Sequence, residues 1–325
     1  MIRILKAGPL ASVQDLGRHG YRSLGVGTAG AMDLRALRVV NALLGNPAEA
    51  AVIEFTLGGF AVEAMDDVDI AVGGASADLK VDGSHIGTWW TQTLRQGQRL
   101  TAGHSASGMR IYLGVGGGID VPLLMGARAT DLKGGFGGLE GRTLRDGDTL
   151  ATRAPSPDRP SPGFGLSFNA YPDLFSLFAS EEPLRFVPAA EWEDYDAETQ
   201  ACFIESDWKI TADSNRVGYR LAGPSLEATE RRELLSHGIL PGTIQLPHGG
   251  APVVQMREAN TCGGYPKLGV VIEADLHRLA QVPLGRTIRF VPCTLADGRE
   301  AAQAQAAELA AIARQSARAR SGWTV

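Results

Sequence analysis

One pattern, D-x-x-R-x-G-Y-R-x-x-G, occurs twice in this chain and restricts its possible folds more than any other feature. Asp15, Arg18, Gly20, Tyr21, Arg22 and Gly25 in "DLGRHGYRSLG" recur at the same spacing as Asp213, Arg216, Gly218, Tyr219, Arg220 and Gly223 in "DSNRVGYRLAG". Each copy stands early in one half of the chain, so the two halves read as versions of one unit. Glycine frees the backbone in such a stretch, and arginine presents a planar fork of donors to a carboxylate or phosphate. Two readings stay open at this point. The Asp–Arg pair braces a turn with the tyrosine ring packed beneath it, or one copy, with Asp15, Arg18, Tyr21 and Arg22 as its first-half candidates, faces an anion.

Both halves are assembled from short apolar runs set between glycines and acidic turns, which predicts a mainly β protein with few helices. In the first half the runs are "VIEFT", "FAVEA", "VDIAV" and "GMRIYLGV", the last entering a turn at Gly116, Gly117 and Gly118. In the second they are "PLRFVP", "DWKITA", "APVVQM", "LGVVIEA" and "RTIRFVP". Helices are predicted in "AMDLRALRVVNALLGNP", where Met32, Leu37, Val40 and Leu44 have near-helical spacing, and within "AETQACFIES". Four prolines between Pro155 and Pro162 predict an extended connection. The expected organisation is therefore a β domain over 1–152, a Pro-rich linker over 153–168, a second β domain over 169–298, and an Ala/Arg-rich tail over 299–325. High helix propensity with a thin apolar stripe makes that tail a peripheral helix or a frayed end.

A chain of 325 residues with 44% hydrophobic content can bury two cores, and a net charge of -5 argues against a nucleic-acid partner. No run approaches the length needed to span a bilayer, no secretory signal opens the chain, and Cys202, Cys262 and Cys293 form no paired framework. The expected location is cytoplasmic. There is no GxxxxGK[ST] cradle, no HExxH, and no clustered histidines or paired cysteines, so no metal is predicted. "GHSAS" at 103–107 lacks the last glycine of a nucleophile elbow, and the triglycine lacks dinucleotide spacing.

The densest polar stretch is "PGTIQLPHGGAPVVQMREANTCGGYPKLGVV". It carries Gln245 on a strand, then Glu258, Asn260, Thr261, Gly263, Gly264, Tyr265 and Lys267 within ten residues. A polar loop leaving a rigid strand suits ligand binding; the alternative is a glycine turn plugged by a tyrosine.

Taken together, "SVQDLGRHGYRSLGV" with "GAMD", "NALLGNP", "IEFTLGG", "SNRVGYRLAGP", "PGTIQLP" and "TCGGYPKLGVVI" resemble the carboxyltransferase-like family that includes the C component of 5-oxoprolinase, the KipA proteins and part of the urea carboxylase carboxyltransferase domain. The resemblance runs from about Val13 to Pro292. It implies two cyclophilin-like β-barrel domains and a complex with a KipI-like B component and a LamB/YcsF-type A component. That complex would open 5-oxoproline to glutamate with ATP, bound at an unassigned place in the assembly. Where the family pattern is "DAQTTGGYP" this chain has "EANTCGGYP", with Glu258, Asn260 and Cys262 as departures, and His237 stands where an acidic residue is usual.

For a lactam or amide substrate, the roles this implies fall on the second copy of the repeat and on the polar loop. Glu258, Tyr265 and Lys267 are the catalytic candidates; Arg216, Arg220, Gln245, Asn260, Thr261, Gly263 and Gly264 are the substrate-binding ones. Arg216, Arg220, Lys267 and the backbone at Gly263 and Gly264 would face developing negative charge, Glu258 would take a proton or the ring N–H, and Tyr265 would wall the substrate. Two other functions remain in view. One is the carboxyltransferase component of a biotin-dependent urea or amide carboxylase, whose biotin would arrive on another chain because no Met-Lys-Met tripeptide occurs here. The other is a non-catalytic KipA-like regulator of a KipI-type kinase inhibitor.

Overall fold

The computed structural model describes residues 1–154, 163–175, 182–226 and 234–321. The run Pro155–Pro162, on which the expected linker is centred, lies outside the described residues. Two barrel-like sheets carry the fold, one of ten strands and one of eight, as the resemblance implies.

In the first half the long strand Arg99–Val115 is the spine. One edge pairs antiparallel with Val52–Thr56 (Ile53 opposite Leu113) and Phe60–Ala64 (Val62 opposite Leu100). Its other edge runs along Val68–Val81, from Ile70 opposite Val115 to Val81 opposite Leu100, with register shifts between Gly74 and Leu79. Such bulges bend a long ladder and let it curl toward closure. Gly74 sits at φ +88 in this bend, and a Cβ there would come within 2.3 Å of the Arg110 carbonyl. Ile4, Ile53, Phe55, Phe60, Val62, Ile111 and Leu113 fill the interior, with the Phe55 and Phe60 rings stacked at 4.3 Å. Each such side chain contributes about 1.5–3 kcal/mol on leaving water.

The second sheet is ordered 287–288, 208–210, 218–222, 253–255, 243–245, 267–271, 184–188, 290–292. Its last pair, Leu184–Pro188 with Phe290–Pro292, is parallel, which brings the end of the sheet back to its start in sequence. Phe186, Phe203, Trp208, Tyr219 and Phe290 dominate this core, and Phe203 stacks on Phe290 at 4.9 Å. The strands expected in both halves are all present.

Helix α1, Leu34–Leu44, begins where the Asp33 carboxylate accepts from Ala36 N–H at 2.8 Å and ends at Gly45 in the left-handed region. Leu37, Val40 and Leu44 are buried on its inner face. Met32 is not part of that stripe: it precedes the cap and packs in the second core, crossing from one half to the other. Helix α2 is the short turn Pro172–Phe175, α3 is Ala197–Glu205 and α4 is Glu273–Gln281. Helix α5, Leu295–Arg320, starts four residues before the expected tail on a Thr294/Asp297 capping box. It is a docked helix rather than a frayed end: Ile312 is fully buried, Glu308 takes Arg35 of α1, and Arg320 donates to the Ala42 carbonyl at 2.7 Å. None of the helices among the described residues is long and apolar enough to cross a membrane.

The repeated motif is used differently in its two copies. Tyr219 and Arg220 lie on the strand Gly218–Ala222, whereas Tyr21 and Arg22 enter a single 3₁₀ turn, Arg22–Leu24. Only the first arginine is buried in both copies, as Arg18 and as Arg216. Arg216 spans the seam between the halves. Its Nε donates to Glu258 Oε1 at 2.6 Å, Nη2 donates to the Gly30 carbonyl at 2.6 Å, and Nη1 pairs with Glu54 of the first half. Glu54 also accepts from Met32 N–H at 2.8 Å and from the Tyr112 hydroxyl at 2.7 Å. Arg110 extends the array, donating to the Tyr219 hydroxyl at 2.7 Å.

Removing this guanidinium would leave buried Glu258 without its cation and Glu54 with only Arg110, whose Nε lies 3.9 Å away. Arg216→Met is therefore expected to lose about 3–5 kcal/mol of unfolding free energy near neutrality. Chemical denaturation of the variant and the unaltered chain at neutrality checks the size.

Candidate active site

The polar loop is positioned by backbone bonds before any side chain acts. After the strand Val253–Gln255, Met256 N–H donates to the Val217 carbonyl at 2.9 Å and Glu258 N–H to the Arg216 carbonyl at 2.9 Å. These bonds bring the Glu258 carboxylate onto the Arg216 side chain. The loop then folds back as a two-stranded ribbon, Cys262–Gly263 against His237–Gly238, with Ile239 N–H on the Thr261 carbonyl at 3.0 Å. A Cβ at Gly263 would fall 2.6 Å from the Ile239 side chain and 3.0 Å from Gln245 Nε2, and one at Gly264 would fall 2.8 Å from the Leu234 carbonyl. The paired glycines therefore let the loop lie flat on the ribbon and on Gln245.

Beneath the ribbon, Gln245 and Lys267 face each other across paired strands. Gln245 is 4% exposed; its Oε1 accepts from Gln255 Nε2 at 2.8 Å, while its own Nε2 has no acceptor among the described residues. Lys267 Nζ contacts His237 Nε2, and that same nitrogen lies 3.1 Å from Glu191 Oε1. His237 Nδ1 sits 2.9 Å from the Leu235 carbonyl, so it carries a proton, and Nε2 either accepts from Lys267 or donates to Glu191. Burial holds the Lys267 ammonium below the ordinary lysine range, with Glu191 opposing that shift. The result is a short proton-sharing line of Lys267, His237 and Glu191.

Tyr265 is no plug. It is 45% exposed and meets the His248 ring edge-on at 5.7 Å. Glu258, by contrast, is 4% exposed and is held by Arg216 and by the Lys133 N–H at 3.3 Å. Asn260 is exposed, and its Oδ1 accepts from Lys133 Nζ of the first half.

Of the candidate residues, Gln245, Gly263, Gly264 and Lys267 come together at the ribbon, with Thr261 anchoring it. Arg216, Glu258 and Asn260 come together at the seam. Arg216 has a donor on each of three acceptors, so it is a brace and is not free to meet a substrate. Arg220 does not join either group: strand alternation turns it to the exposed face, opposite buried Tyr219. In the first half, Asp15 is buried as a turn brace, accepting from Gly17 N–H at 2.8 Å and from Arg128 N–H. Arg18 lies 4.6 Å above the Phe136 ring and donates to the Ala129 carbonyl. Burial lowers the Arg18 pKa, against Asp131, Asp15 and Glu258. Tyr21 and Arg22 are half-buried beside it. Sequence reasoning does not reach Glu54, Glu191 or Lys133. Only Lys133 carries a signal, the glycine-rich "KGGFGG", which marks a turn but not its reach across the seam.

The family model for the carboxyltransferase domain, subdomain A and B, matches residues 24–292. The chain is 45% identical to the C subunit of 5-oxoprolinase from Escherichia coli (strain K12) over 305 residues, covering 94% of this chain and 95% of that one. It is 37% identical to the protein of the same name from Haemophilus influenzae over 295 residues, covering 91% and 92%. Among solved structures, Kluyveromyces lactis urea carboxylase superposes with a TM-score of 0.87 at 28% identity, over 96% of this chain and only 29% of that one. On these matches the chain belongs to the carboxyltransferase domain family of subdomains A and B.

Proposed function

We propose that this chain is the C component of a cytoplasmic ATP-dependent 5-oxoprolinase, acting with a KipI-like B component and a LamB/YcsF-type A component to convert 5-oxo-L-proline to L-glutamate. The observation that carries this reading is the agreement over nearly the full length of both chains with proteins named as that component. The chemistry available at the ribbon supports it. A lactam carbonyl is a poor electrophile, and ATP supplies the phosphoryl group that activates its oxygen. Water adds to the carbon, the C–N bond breaks with the nitrogen leaving protonated as the glutamate amine, and a second water cleaves the acyl phosphate that remains, giving glutamate and phosphate.

Within that reaction Lys267 stabilises negative charge developing on the carbonyl oxygen, and Gln245 Nε2 offers the second donor. His237 and Glu191 fix the ammonium and its proton. Tyr265 forms an accessible wall. Glu258 and Arg216 hold the loop in place rather than exchanging protons with substrate. Carboxyl transfer to urea or another amide, from a biotin carried on a separate chain, is the second reading; the likeness to urea carboxylase favours it.

With the A and B components present, glutamate release from 5-oxoproline should require ATP. Release that instead requires a biotinylated carrier assigns carboxyl transfer, and tight association without turnover assigns a regulator. Lys267→Met should lower kcat by about 10²–10³-fold, the scale for losing one stabiliser of developing charge.

The lowered Lys267 pKa also sets a pH dependence. If the ammonium is the working form, kcat/KM falls as pH rises through a value below the ordinary lysine range. Lys267→Arg keeps its charge and should move that alkaline limb to higher pH. An alkaline limb at the same pH in the arginine variant contradicts the assignment.

A further inference from the structure

Three helices meet around one histidine that the proposed chemistry does not use. His277 lies half-buried on α4. Its Nε2 is 3.3 Å from Arg35 Nη1 of α1, and its Nδ1 is 3.4 Å from Gln305 Nε2 of α5. A guanidinium can only donate, so Arg35 makes Nε2 the acceptor. The one proton of a neutral ring then sits on Nδ1, to which the Gln305 amide can turn either end. An imidazolium has no acceptor to offer. Protonation would therefore set an N–H against the guanidinium and bring a second cation within 3.3 Å of the first.

The carboxylates around the ring are already engaged. Glu308, the one charged residue of α5 within a turn of Gln305, holds Arg35 at 2.7 and 3.1 Å. Asp33 caps α1 and accepts from Gln281 at 2.9 Å. On α4 itself Asp275 takes Arg185 at 2.6 Å and lies 3.5 Å from Arg278, while Glu273 is exposed. Arg110, reaching α4 from the strand Arg99–Val115, donates to the Ala280 carbonyl and the Tyr219 hydroxyl. Burial lowers the His277 pKa below the ordinary histidine value; Arg35 and Arg278 add to the lowering, and Asp33 and Asp275 oppose it. Helix α5 depends on this junction because little else holds it: of its 26 residues only Ile312 and Ser316 are buried.

We propose that His277 is a proton-operated latch for α5: uncharged, it accepts from Arg35 and seats α5 on α1 and α4; protonated, it repels Arg35 and frees the helix. The ring is held neutral while α5 is seated and becomes an ordinary histidine once the helix leaves. Seating is therefore complete above about pH 6.5 and weakens by up to about tenfold for each pH unit below it, until the lowered pKa is passed. The latch is independent of the lactam reading, since none of these residues lies at the Gly263–Gly264 ribbon.

The test is amide exchange of the full chain at about pH 7.5 and about pH 5.5, expressed as protection relative to the intrinsic rate at each pH. Protection over 305–316 should fall at the lower pH, toward the roughly tenfold limit set by one proton, while the strand Arg99–Val115 keeps its own. His277→Gln keeps a polar group at the junction but cannot titrate, so its α5 should lose this pH dependence. Imidazole NMR supplies an arm that stands if that variant fails to fold. One of the six histidines of the unaltered chain should titrate below the ordinary histidine value, and Arg35→Gln, which removes the facing cation, should move that titration up. Equal loss of α5 protection in His277→Gln overturns the proposal, as does a chain in which all six rings titrate at the ordinary value or above, or an unmoved titration in Arg35→Gln.

Discussion

A single guanidinium, that of Arg216, joins Glu54 of the first sheet to Glu258 of the second. Each partner is itself tied to its own half, Glu54 through Met32 and Tyr112 and Glu258 through its backbone bond to the Arg216 carbonyl. With Arg110 3.9 Å from Glu54 the interaction is a cluster of two cations and two anions, and its carboxylates are hydrogen-bonded, the condition under which buried ions are tolerated. Its net effect on stability is modest compared with the two aromatic and aliphatic cores. Its effect on geometry is large, because Glu258 is the first fixed point of the loop that carries Asn260, the paired glycines and Lys267.

From that fixed point the remaining polar groups divide by access to solvent. Those that are buried, Glu54 and Glu258 at the seam and Asp15 within the first half, have protein partners and serve the architecture. Those left reachable are fewer: the exposed Tyr265, Asn260 with Lys133, and the His237 end of the lysine line. Chemistry on a small polar substrate needs groups of the second kind held still by groups of the first. The ribbon meets that need because its glycines close the backbone onto Gln245 while Lys267 stays linked to His237.

Much of this was legible in the sequence, for physical reasons that can be named. Alternating and clustered apolar runs located the strands of both sheets, and the near-helical spacing of Leu37, Val40 and Leu44 located α1, since these signals are local. The loop from Glu258 to Lys267 stood out because few structural turns concentrate so many functional groups. The repeated motif does not carry equal use: Asp213 is exposed where Asp15 is buried, and Arg220 is exposed where Arg22 is half-buried. Tertiary placement decides that, and spacing does not record it. Glu54 is one acidic residue in an apolar strand, and Glu191 sits in the 3₁₀ turn Ala190–Asp194. Their partners lie 162 and 46 residues away, at Arg216 and His237, so nothing local announced them. Helix α5 was readable as a helix, but its seat on α1 depends on Ile312, Glu308 and Arg320, which a thin stripe does not reveal.

Amide hydrogen exchange on the Arg216→Met chain tests the central claim most directly. If this guanidinium is what couples the halves and fixes the loop, protection should fall together in 131–136 and 256–264, on opposite sides of the seam, while the strands Val68–Val81 and Arg99–Val115 stay protected. Unchanged exchange in both loops, or a loss confined to one of them, would show that the halves are held and the loop is set by something else.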